Sequence, residues 1–332
     1  MKRTLLKTLD ALGGFSMFNP FTKNSATIFM LHSVAAVNDG RDVTSPALLE
    51  ECFSYLKRNG YRVLSLRNYV QALENRESTY KSVVFTVDDG YRDFYEHAYA
   101  VFKKYGYSAT IFLTSDFINR RIFLWWDQIE FSIQNTLKTE VDVDGLGKVA
   151  IGTASEKSEA IFRIIHRFKK IPNAQMRRNV SQLVEQLGVD VSGQPSGKYS
   201  PLSWAEILEM QANGIEFHPH TQNHPILTRL NAEDYDAELR ESKDQIESHL
   251  GISADILCYP NGGPEDFSDG VIEEAKKAGY RAAVTGIPGF NNTQANTDMY
   301  RLGRFGLPTD SLLFKEYVCG MEALKFRLRP VA

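Results

Sequence analysis

Two neighbouring aspartates and a histidine-rich stretch are the residues of this sequence whose types and spacing could do chemistry. Asp88 and Asp89 directly follow the apolar run SVVFTV, and the stretch HPHTQNH contains His220 and His224 with three residues between them. Adjacent carboxylates repel each other where the dielectric constant is low, and a divalent cation removes that cost. An Asp-Gly pair is also common in turns, so the aspartates alone would indicate a turn.

The two histidines favour a metal site over a turn or a His-rich surface loop. Two imidazoles and one carboxylate give three protein ligands and leave positions open for water and substrate, which is typical of catalytic metal sites. Prolines flank the stretch and no HExxH glutamate follows, so a loop is expected rather than a zinc-binding helix. His218 is expected to be structural, because strand alternation points it away from His220. We therefore predict that Asp89, His220 and His224 bind a metal.

The elements that must position these groups are short apolar runs alternating with helical patterns, as in parallel βαβ units. Strands are predicted at residues 26–31, 62–66, 82–87, 108–113, 215–217, 256–259 and 281–285. Helices are predicted after the cap Ser45-Pro46, at 98–106, after the capping box Ser203–Glu206, and at 232–250 and 269–278. Four strands run into His32, the aspartate pair, the His-rich stretch and Asn261, and functional residues gather at such strand ends. Six or seven βα units indicate a closed or nearly closed barrel.

The alternation of predicted strands and helices is interrupted between about residues 116 and 200. We find no succession of strands there, but helical patterns at 161–168 and 180–187 and a Gly/Ser/Pro-rich stretch at 192–198. This composition predicts a largely helical insertion that ends in a flexible linker. The insertion would belong to a single domain that spans residues 25–330.

Composition argues against several function classes. The 332 residues are 43% hydrophobic and 24% charged, as in ordinary globular proteins. The net charge of −3 provides no basic field for nucleic acid, so no nucleic-acid partner is expected. Cys52, Cys258 and Cys319 are odd in number, far apart and in no metal-binding spacing, so we interpret them as reduced thiols.

Residues 1–24 form a separate N-terminal segment that is expected to be helical. Leu5, Leu6, Leu9 and Leu12 recur at helical spacing beside basic residues. We favour a helix that packs on the domain; the alternative is weak peripheral contact with a membrane. No apolar run is long enough for a signal peptide or a spanning helix, which predicts a cytoplasmic protein, with membrane association as the alternative.

Three motifs resemble those of the NodB-homology polysaccharide deacetylases, carbohydrate esterase family 4. They are FTVDDG, HTQNH followed by Pro225 and Leu227, and YPNG; outside the insertion, the resemblance covers the chain from Leu31-His32 to about Arg304. It implies an α/β fold, a distorted (β/α)7 barrel, in agreement with the element count. It also implies a metal-dependent hydrolase of carbon–nitrogen bonds other than peptide bonds. The implied substrate is an N-acetylated rather than O-acetylated sugar of a surface polysaccharide or glycolipid precursor.

The resemblance implies roles for individual residues as well. Asp88 would be the general base on a water activated by the metal, and Asp89 would bind the metal beside His220 and His224. The peptide N–H of Asn261 would join the metal in stabilising the tetrahedral oxyanion. The implied cofactor is a divalent metal, Zn²⁺ first, with Co²⁺ and Ni²⁺ as alternatives that the same ligands accept.

The sequence departs from the family pattern at two positions. Many members have an arginine that orients the base two residues before the proline of the third motif, where this chain has Cys258. Arg304 could reach the base from another strand or could be a surface arginine. The late Leu-x-His motif that supplies the general acid is not evident after Thr285. His32 is the best substitute, with a purely structural histidine as the alternative.

Two other functions remain open for this scaffold. One is hydrolysis of a cyclic amide, as in allantoinase-like relatives, although the large insertion favours an extended substrate. The other is non-catalytic glycan binding, against which Asp88 argues, because a binding protein needs no base beside a metal ligand. Trp125 and Trp126 open the insertion and are expected to belong to a core, with stacking on sugar rings as the alternative.

Overall fold

A largely parallel sheet with helices packed around it forms the centre of the structure. The computed structural model describes residues 2–35, 43–191, 193 and 195–328. The strands are β1 (Thr27–Leu31), β2 (Ser33–Val34), β3 (Val43–Thr44), β4 (Arg62–Leu64), β5 (Ser82–Val87), β6 (Thr110–Leu113), β7 (Glu140–Val143), β8 (Gly147–Ala150), β9 (Glu216–Pro219), β10 (Ile256–Cys258), β11 (Ala282–Val284) and β12 (Phe305–Gly306). The helices are α1 (Lys2–Ala11), α2 (Pro46–Arg58), α3 (Leu66–Glu74), α4 (Tyr99–Tyr105), α5 (Ser115–Ile118), α6 (Trp125–Asn135), α7 (Ala154–Phe168), α8 (Asn173–Leu187), α9 (Trp204–Ala212), α10 (Ser242–Leu250), α11 (Asp269–Lys277), α12 (Ser311–Val318) and α13 (Met321–Leu328).

The barrel strands pair in parallel in the order β12-β1-β5-β6-β9. β4 pairs with residues 82–84 of β5, and β6 pairs with residues 86–87 further along the same edge. β10 and β11 form a second parallel pair. A parallel bridge from Val284 of β11 to Leu302 links this pair to the segment that leads into β12. The strands therefore close round on themselves except between β9 and β10. The predicted fold class, an α/β distorted barrel with an insertion, is confirmed.

Histidine side chains span the gap between β9 and β10. Within the described residues no backbone ladder joins these two strands. Instead, the N–H of Ile256 donates to His218 Nδ1 at 3.3 Å, and His220 Nδ1 lies 2.8 Å from the carbonyl oxygen of Cys258. His218 is fully buried, which agrees with its expected structural role. The expectation that it points away from His220 is wrong, because both imidazoles face β10, as residues two positions apart along a strand do. The two imidazoles thus satisfy backbone groups of β10 that a neighbouring strand satisfies in a regular barrel.

One strand and two helices have the features that their local sequence predicts. All six residues of β5 are buried, as its continuous apolar and β-branched sequence requires. Ser45 caps α2 by accepting a backbone N–H, and Pro46 is the first helical residue. Ser203 and Glu206 form a complete capping box at the start of α9.

The insertion is largely helical, as predicted, but it also contains a hairpin that the sequence analysis missed. α6, α7 and α8 pack with the antiparallel pair β7–β8. Buried apolar side chains of these elements, Ile164 among them, form a hydrophobic core separate from that of the barrel. Of the predicted linker 192–198, residues 192 and 194 lie outside the described residues, as does residue 330, the predicted domain end.

Two further differences from the sequence analysis lie in the second half of the chain. The continuous helix predicted at 232–250 is wrong in its first part, where a 3₁₀ turn (Ala232–Asp234) and a π-helical segment (Ala237–Glu241) precede α10. No element was assigned after Thr285, where the structure adds β12, α12 and α13.

The two ends of the described chain pack together outside the barrel. α1 and the 3₁₀ segment Gly14–Thr22 contact α12 and α13. Leu6 and Phe15 are buried against Cys319 and Met321. None of the helices described is both long and apolar enough to cross a membrane.

Candidate metal centre

The polar groups selected from the sequence meet at the carboxyl end of the barrel, where they line one cavity of about 580 Å³. They are His32 after β1, Asp88 and Asp89 after β5, His220 and His224 after β9, and Asn261 after β10. The insertion supplies the opposite wall through α6 and α7. Arg304 lies just outside this cavity, in contact with Asp88.

Four residues at this end of the barrel have strained backbones. Asp89, Thr221, His224 and Asn261 have φ angles of 74°, 64°, 53° and 58°. This left-handed region costs a non-glycine residue about 1–2 kcal/mol. Nearby contacts stabilise these strained conformations. For example, Thr221 Oγ1 accepts the N–H of His224 at 3.0 Å. Strain of this kind clusters at functional sites, where tight turns aim side chains at one point.

Asp89, His220 and His224 bring three ligand atoms together. Asp89 Oδ1 lies 3.5 Å from His220 Nε2 and 3.4 Å from His224 Nε2. Two ligands at about 2.1 Å from a tetrahedral ion are about 3.4 Å apart, so the spacing fits Zn²⁺ and ions of similar size. Asp89 Oδ1 is buried without a hydrogen-bond partner among the described residues, and a bound cation would satisfy it. The three residues therefore fit a divalent metal.

The protonation states of these ligands also fit a metal. Burial lowers the pKa of His220 to about 4 and that of His224 well below its usual value. Both imidazoles are therefore neutral and able to offer a lone pair. His220 Nδ1–H donates to the Cys258 carbonyl at 2.8 Å, which leaves Nε2 as the ligand atom. Burial, together with the charge of Asp88, raises the pKa of Asp89, a cost that a cation reverses.

Arg304 forms a bidentate ion pair with Asp88. Its Nη1 and Nη2 lie 2.7 and 2.8 Å from the two carboxylate oxygens, and further bonds to Thr86 Oγ1 and the Thr285 carbonyl hold the guanidinium. Burial alone would raise the pKa of Asp88, but the charge and hydrogen bonds of Arg304 outweigh it and lower the pKa. Asp88 is therefore ionised and fixed in orientation. The surface alternative for Arg304 is wrong, since its side chain is 1% exposed.

Cys258 lies beside the same guanidinium. Arg304 Nη2 is 3.2 Å from Cys258 Sγ, so an arginine from the end of the barrel occupies the space next to position 258. Burial raises the pKa of the Cys258 thiol well above its usual value, and the thiol stays neutral. Arg304, which directly precedes β12, thus lies beside the position at which the family pattern has an arginine.

His32 lies at the cavity mouth beside Asp88. Its Nε2 is 3.8 Å from Asp88 Oδ2, and its side chain is 51% exposed. Because half of this side chain is accessible, His32 can exchange protons with solvent, which a core histidine cannot do readily.

Contacts of Tyr91, Trp126 and Asp127 connect the insertion to the candidate metal site. The sequence analysis did not assign these three residues to the site. The hydroxyl of Tyr91 donates to Asp127 Oδ2 at 2.7 Å and accepts from Trp126 Nε1 at 2.9 Å. The rings of Trp126 and His224 meet edge to face, with centroids 4.5 Å apart. Trp126 thus packs on a candidate metal ligand rather than only within the insertion. Tyr91 directly follows the aspartate motif and Asp127 follows the tryptophan pair, but no sequence signal shows that these two segments meet.

Residues 75–143 and 168–283, more than half of the chain, match the polysaccharide deacetylase family. The chain belongs to this family. It is therefore a hydrolase that removes acetyl groups from an acetylated polysaccharide, and enzymes of this family are generally metal-dependent. The stretch 144–167 between the two matched ranges contains most of α7, whose Ile161 and Ile165 line the cavity. Part of the cavity wall therefore lies outside the family match.

Individual relatives are distant in sequence. YxkH of Bacillus subtilis (strain 168), named as a polysaccharide deacetylase, is 23% identical over 278 residues, which are 83% of this chain and 69% of that protein. The Streptococcus pyogenes deacetylase PplD, solved in complex with acetate, has a TM-score of 0.59 and 20% identity, covering 93% of this chain and 100% of that chain. IcaB from Ammonifex degensii has a TM-score of 0.58 and 16% identity, covering 89% of this chain and 97% of that chain. These structures share the barrel fold.

Proposed function

We propose that this protein removes the acetyl group from an N-acetylated sugar of a surface polysaccharide or glycolipid precursor, with a divalent metal held by Asp89, His220 and His224. One observation carries the proposal: a buried carboxylate oxygen lies within 3.5 Å of two imidazole nitrogens, next to an ionised aspartate that a buried arginine orients. Zn²⁺ is the expected ion, and Co²⁺ or Ni²⁺ suits the same ligands.

In this proposal Asp88 is the general base and Arg304 positions it. A divalent cation held at the site would act as a Lewis acid on two groups, the acetyl carbonyl and a water molecule. Asp88 accepts a proton from that water, because each carboxylate oxygen keeps a lone pair beyond its bond to Arg304. Arg304 keeps Asp88 ionised and fixes the direction of its oxygens. The entropic cost of orienting the base when the substrate binds is therefore smaller.

His32 and Asn261 are proposed to complete the proton transfer and the charge stabilisation. His32 is half-exposed beside Asp88 and donates the proton that the leaving amine needs when the carbon–nitrogen bond breaks. Asn261 lines the cavity with a left-handed backbone, and its N–H donates to the oxyanion. Both assignments rest on the position of these residues beside the base and the metal ligands.

The shape of the cavity supports an extended sugar substrate. Its volume of about 580 Å³ falls in the range of pockets that bind multi-ring ligands, and a small cyclic amide fills only part of it. The insertion wall presents Ile161 and Ile165 together with Gln134 and Ser158. Apolar side chains next to hydrogen-bonding groups suit sugar rings, which have apolar faces and polar edges.

The test is acetate release from chitooligosaccharides and from lipid-linked N-acetylglucosamine, with and without a chelator. We expect release that the chelator abolishes and added Zn²⁺ restores. Asp88→Asn removes the proton acceptor, so kcat is expected to fall at least about 100-fold, the lower range for general-base catalysis. Asp298→Asn, in an exposed ion pair with Arg301, is the matched control and is expected to retain wild-type kcat.

Three results would contradict parts of the proposal. Absence of chelator-sensitive release from every acetylated sugar argues against the metal-dependent sugar deacetylase. Full activity of Asp88→Asn excludes this residue as the base. Hydrolysis of allantoin in place of acetylated sugars supports the cyclic-amide alternative.

A further inference from the structure

We propose that the N-terminal segment and α13 form a surface that binds membranes rich in anionic phospholipid. This terminal patch consists of residues 2–23 and 321–328. Four large apolar side chains in it are exposed: Leu5 by 60%, Leu12 by 78%, Met17 by 65% and Leu328 by 74%. They are half of the eight large apolar side chains that are exposed among the described residues, although the patch is a small part of the chain. Exposed apolar side chains gathered in one region of the surface are a feature of sites that bind proteins or membranes.

The terminal patch is fixed to the barrel by its other face. Leu6 and Phe15 are buried with Cys319 and Met321, and Lys315 of α12 binds both carboxylate oxygens of Asp10 at 2.7 and 2.8 Å. Leu5 of α1 and Leu12, the residue directly after α1, are not part of this buried contact and face solvent. The apolar residues are thus held in place before any partner is bound, which reduces the entropic cost of binding.

The charges of the terminal patch favour an anionic partner. Arg3, Lys7, Lys23 and Arg327 are exposed. The acidic residues of the patch have basic partners, because Asp10 pairs with Lys315 and Glu322 with Lys325. The patch is therefore basic on a chain whose net charge is −3.

Exposed leucines flanked by lysine and arginine match the chemistry of a bilayer surface. The apolar side chains reach the acyl boundary while the basic groups contact anionic headgroups. A second copy of the same basic patch would repel the first, which disfavours self-association. Arg3 lies 3.9 Å from Asp310, the cap of α12 that follows β12. The patch therefore extends to the same end of the barrel as the catalytic cavity.

The test is co-sedimentation of the full chain with vesicles of phosphatidylcholine alone or with one quarter phosphatidylglycerol. We expect binding to the anionic vesicles that decreases with salt, since the headgroup attraction is screened. Leu5→Ser with Leu12→Ser is expected to weaken it at least about tenfold, because two leucines lose their acyl contacts. Lys7→Glu is expected to weaken it at least about fivefold, because one basic contact is lost and an acidic one added. Phe162→Ser is the control, since Phe162 is 70% exposed on α7, away from the patch.

Several outcomes would overturn the proposal. They are no binding to either vesicle, equal binding to both, undiminished binding by the double leucine variant, and loss of binding by Phe162→Ser. A dimer in sedimentation velocity that the double variant dissociates would also overturn it in favour of a second copy. Unchanged thermal melting and acetate release by all three variants show that they fold as the wild type does.

Discussion

The buried ion pair of Asp88 and Arg304 is a residue-level feature whose disruption is expected to affect both stability and activity. Both side chains are buried, so removal of one leaves the other charged in a low-dielectric environment. We expect Arg304→Gln to lower the free energy of unfolding by about 3 kcal/mol, measured by urea denaturation. We also expect kcat to fall about 100-fold, because Asp88, the proposed base, loses its orientation. Arg304→Lys should restore little activity, since an ammonium group cannot form the bidentate pair.

Arg301 offers a matched control for this prediction. It lies three residues earlier and pairs with Asp298 and Asp269, but its side chain is 42% exposed. Exposed ion pairs contribute little, so Arg301→Gln is expected to change the unfolding free energy by less than about 1 kcal/mol. Equal effects of the two substitutions would show that burial does not decide the outcome.

At this scale the sequence predicted the candidate ligands better than their supports. The aspartate pair and the histidine spacing are local patterns, and the structure brings Asp89, His220 and His224 together as predicted. The Arg304–Asp88 contact joins residues 216 positions apart, so the sequence left Arg304 with two alternatives. Tyr91 was missed for the same reason, because its partner Asp127 lies in another element.

At the level of elements, the two histidines that span the gap between β9 and β10 are expected to differ in role. We expect His218→Ala and His220→Ala each to lower the free energy of unfolding by about 2 kcal/mol or more, because each leaves a cavity and an unsatisfied backbone group of β10. Only His220→Ala is expected to lose Zn²⁺ affinity, by more than about 100-fold, the upper end for residues that merely support a ligand.

Calorimetric titration with Zn²⁺ tests this prediction on folded protein of each variant. Comparable Zn²⁺ affinity in His220→Ala and the wild type would contradict the assigned ligand. A loss of affinity in His218→Ala as large as in His220→Ala would contradict the structural role of His218.

The elements that the sequence predicted well carry strong local signals. β5 is a continuous apolar run, and α2 and α9 have capping residues at their first turn. The β7–β8 hairpin was missed although β7 alternates exposed and buried residues, because an antiparallel pair of four-residue strands does not fit the βα rhythm. The helix predicted at 232–250 was too long, since amphipathic spacing does not distinguish an α-helix from 3₁₀ and π segments.

For the whole molecule, the insertion and the barrel have separate hydrophobic cores. Ile164 is fully buried in the insertion core. We expect Ile164→Ala to destabilise the insertion by about 2–5 kcal/mol and to leave the barrel largely unaffected, because its core contacts lie within the insertion. Hydrogen exchange measured by mass spectrometry should show faster exchange in peptides of α7 and α8 and unchanged exchange in β5.

Phe85→Ala in the barrel core is the reciprocal variant, since Phe85 is also fully buried. It is expected to accelerate exchange in β5 and its neighbours. Uniform acceleration through the whole chain by Ile164→Ala would show that insertion and barrel unfold as one unit.

The distance along the chain between Asp88 and Arg304 also has a consequence for biosynthesis. Ribosomes add about 5–20 residues per second, so roughly 10–40 s separate the synthesis of Asp88 from that of Arg304, 216 residues later. Both aspartates and both histidines leave the ribosome before β12, which pairs with β1, has been made. If Arg304 positions Asp88 as proposed, the site is incomplete until residue 304 has been translated, and a product of premature termination before that residue is expected to have no deacetylase activity.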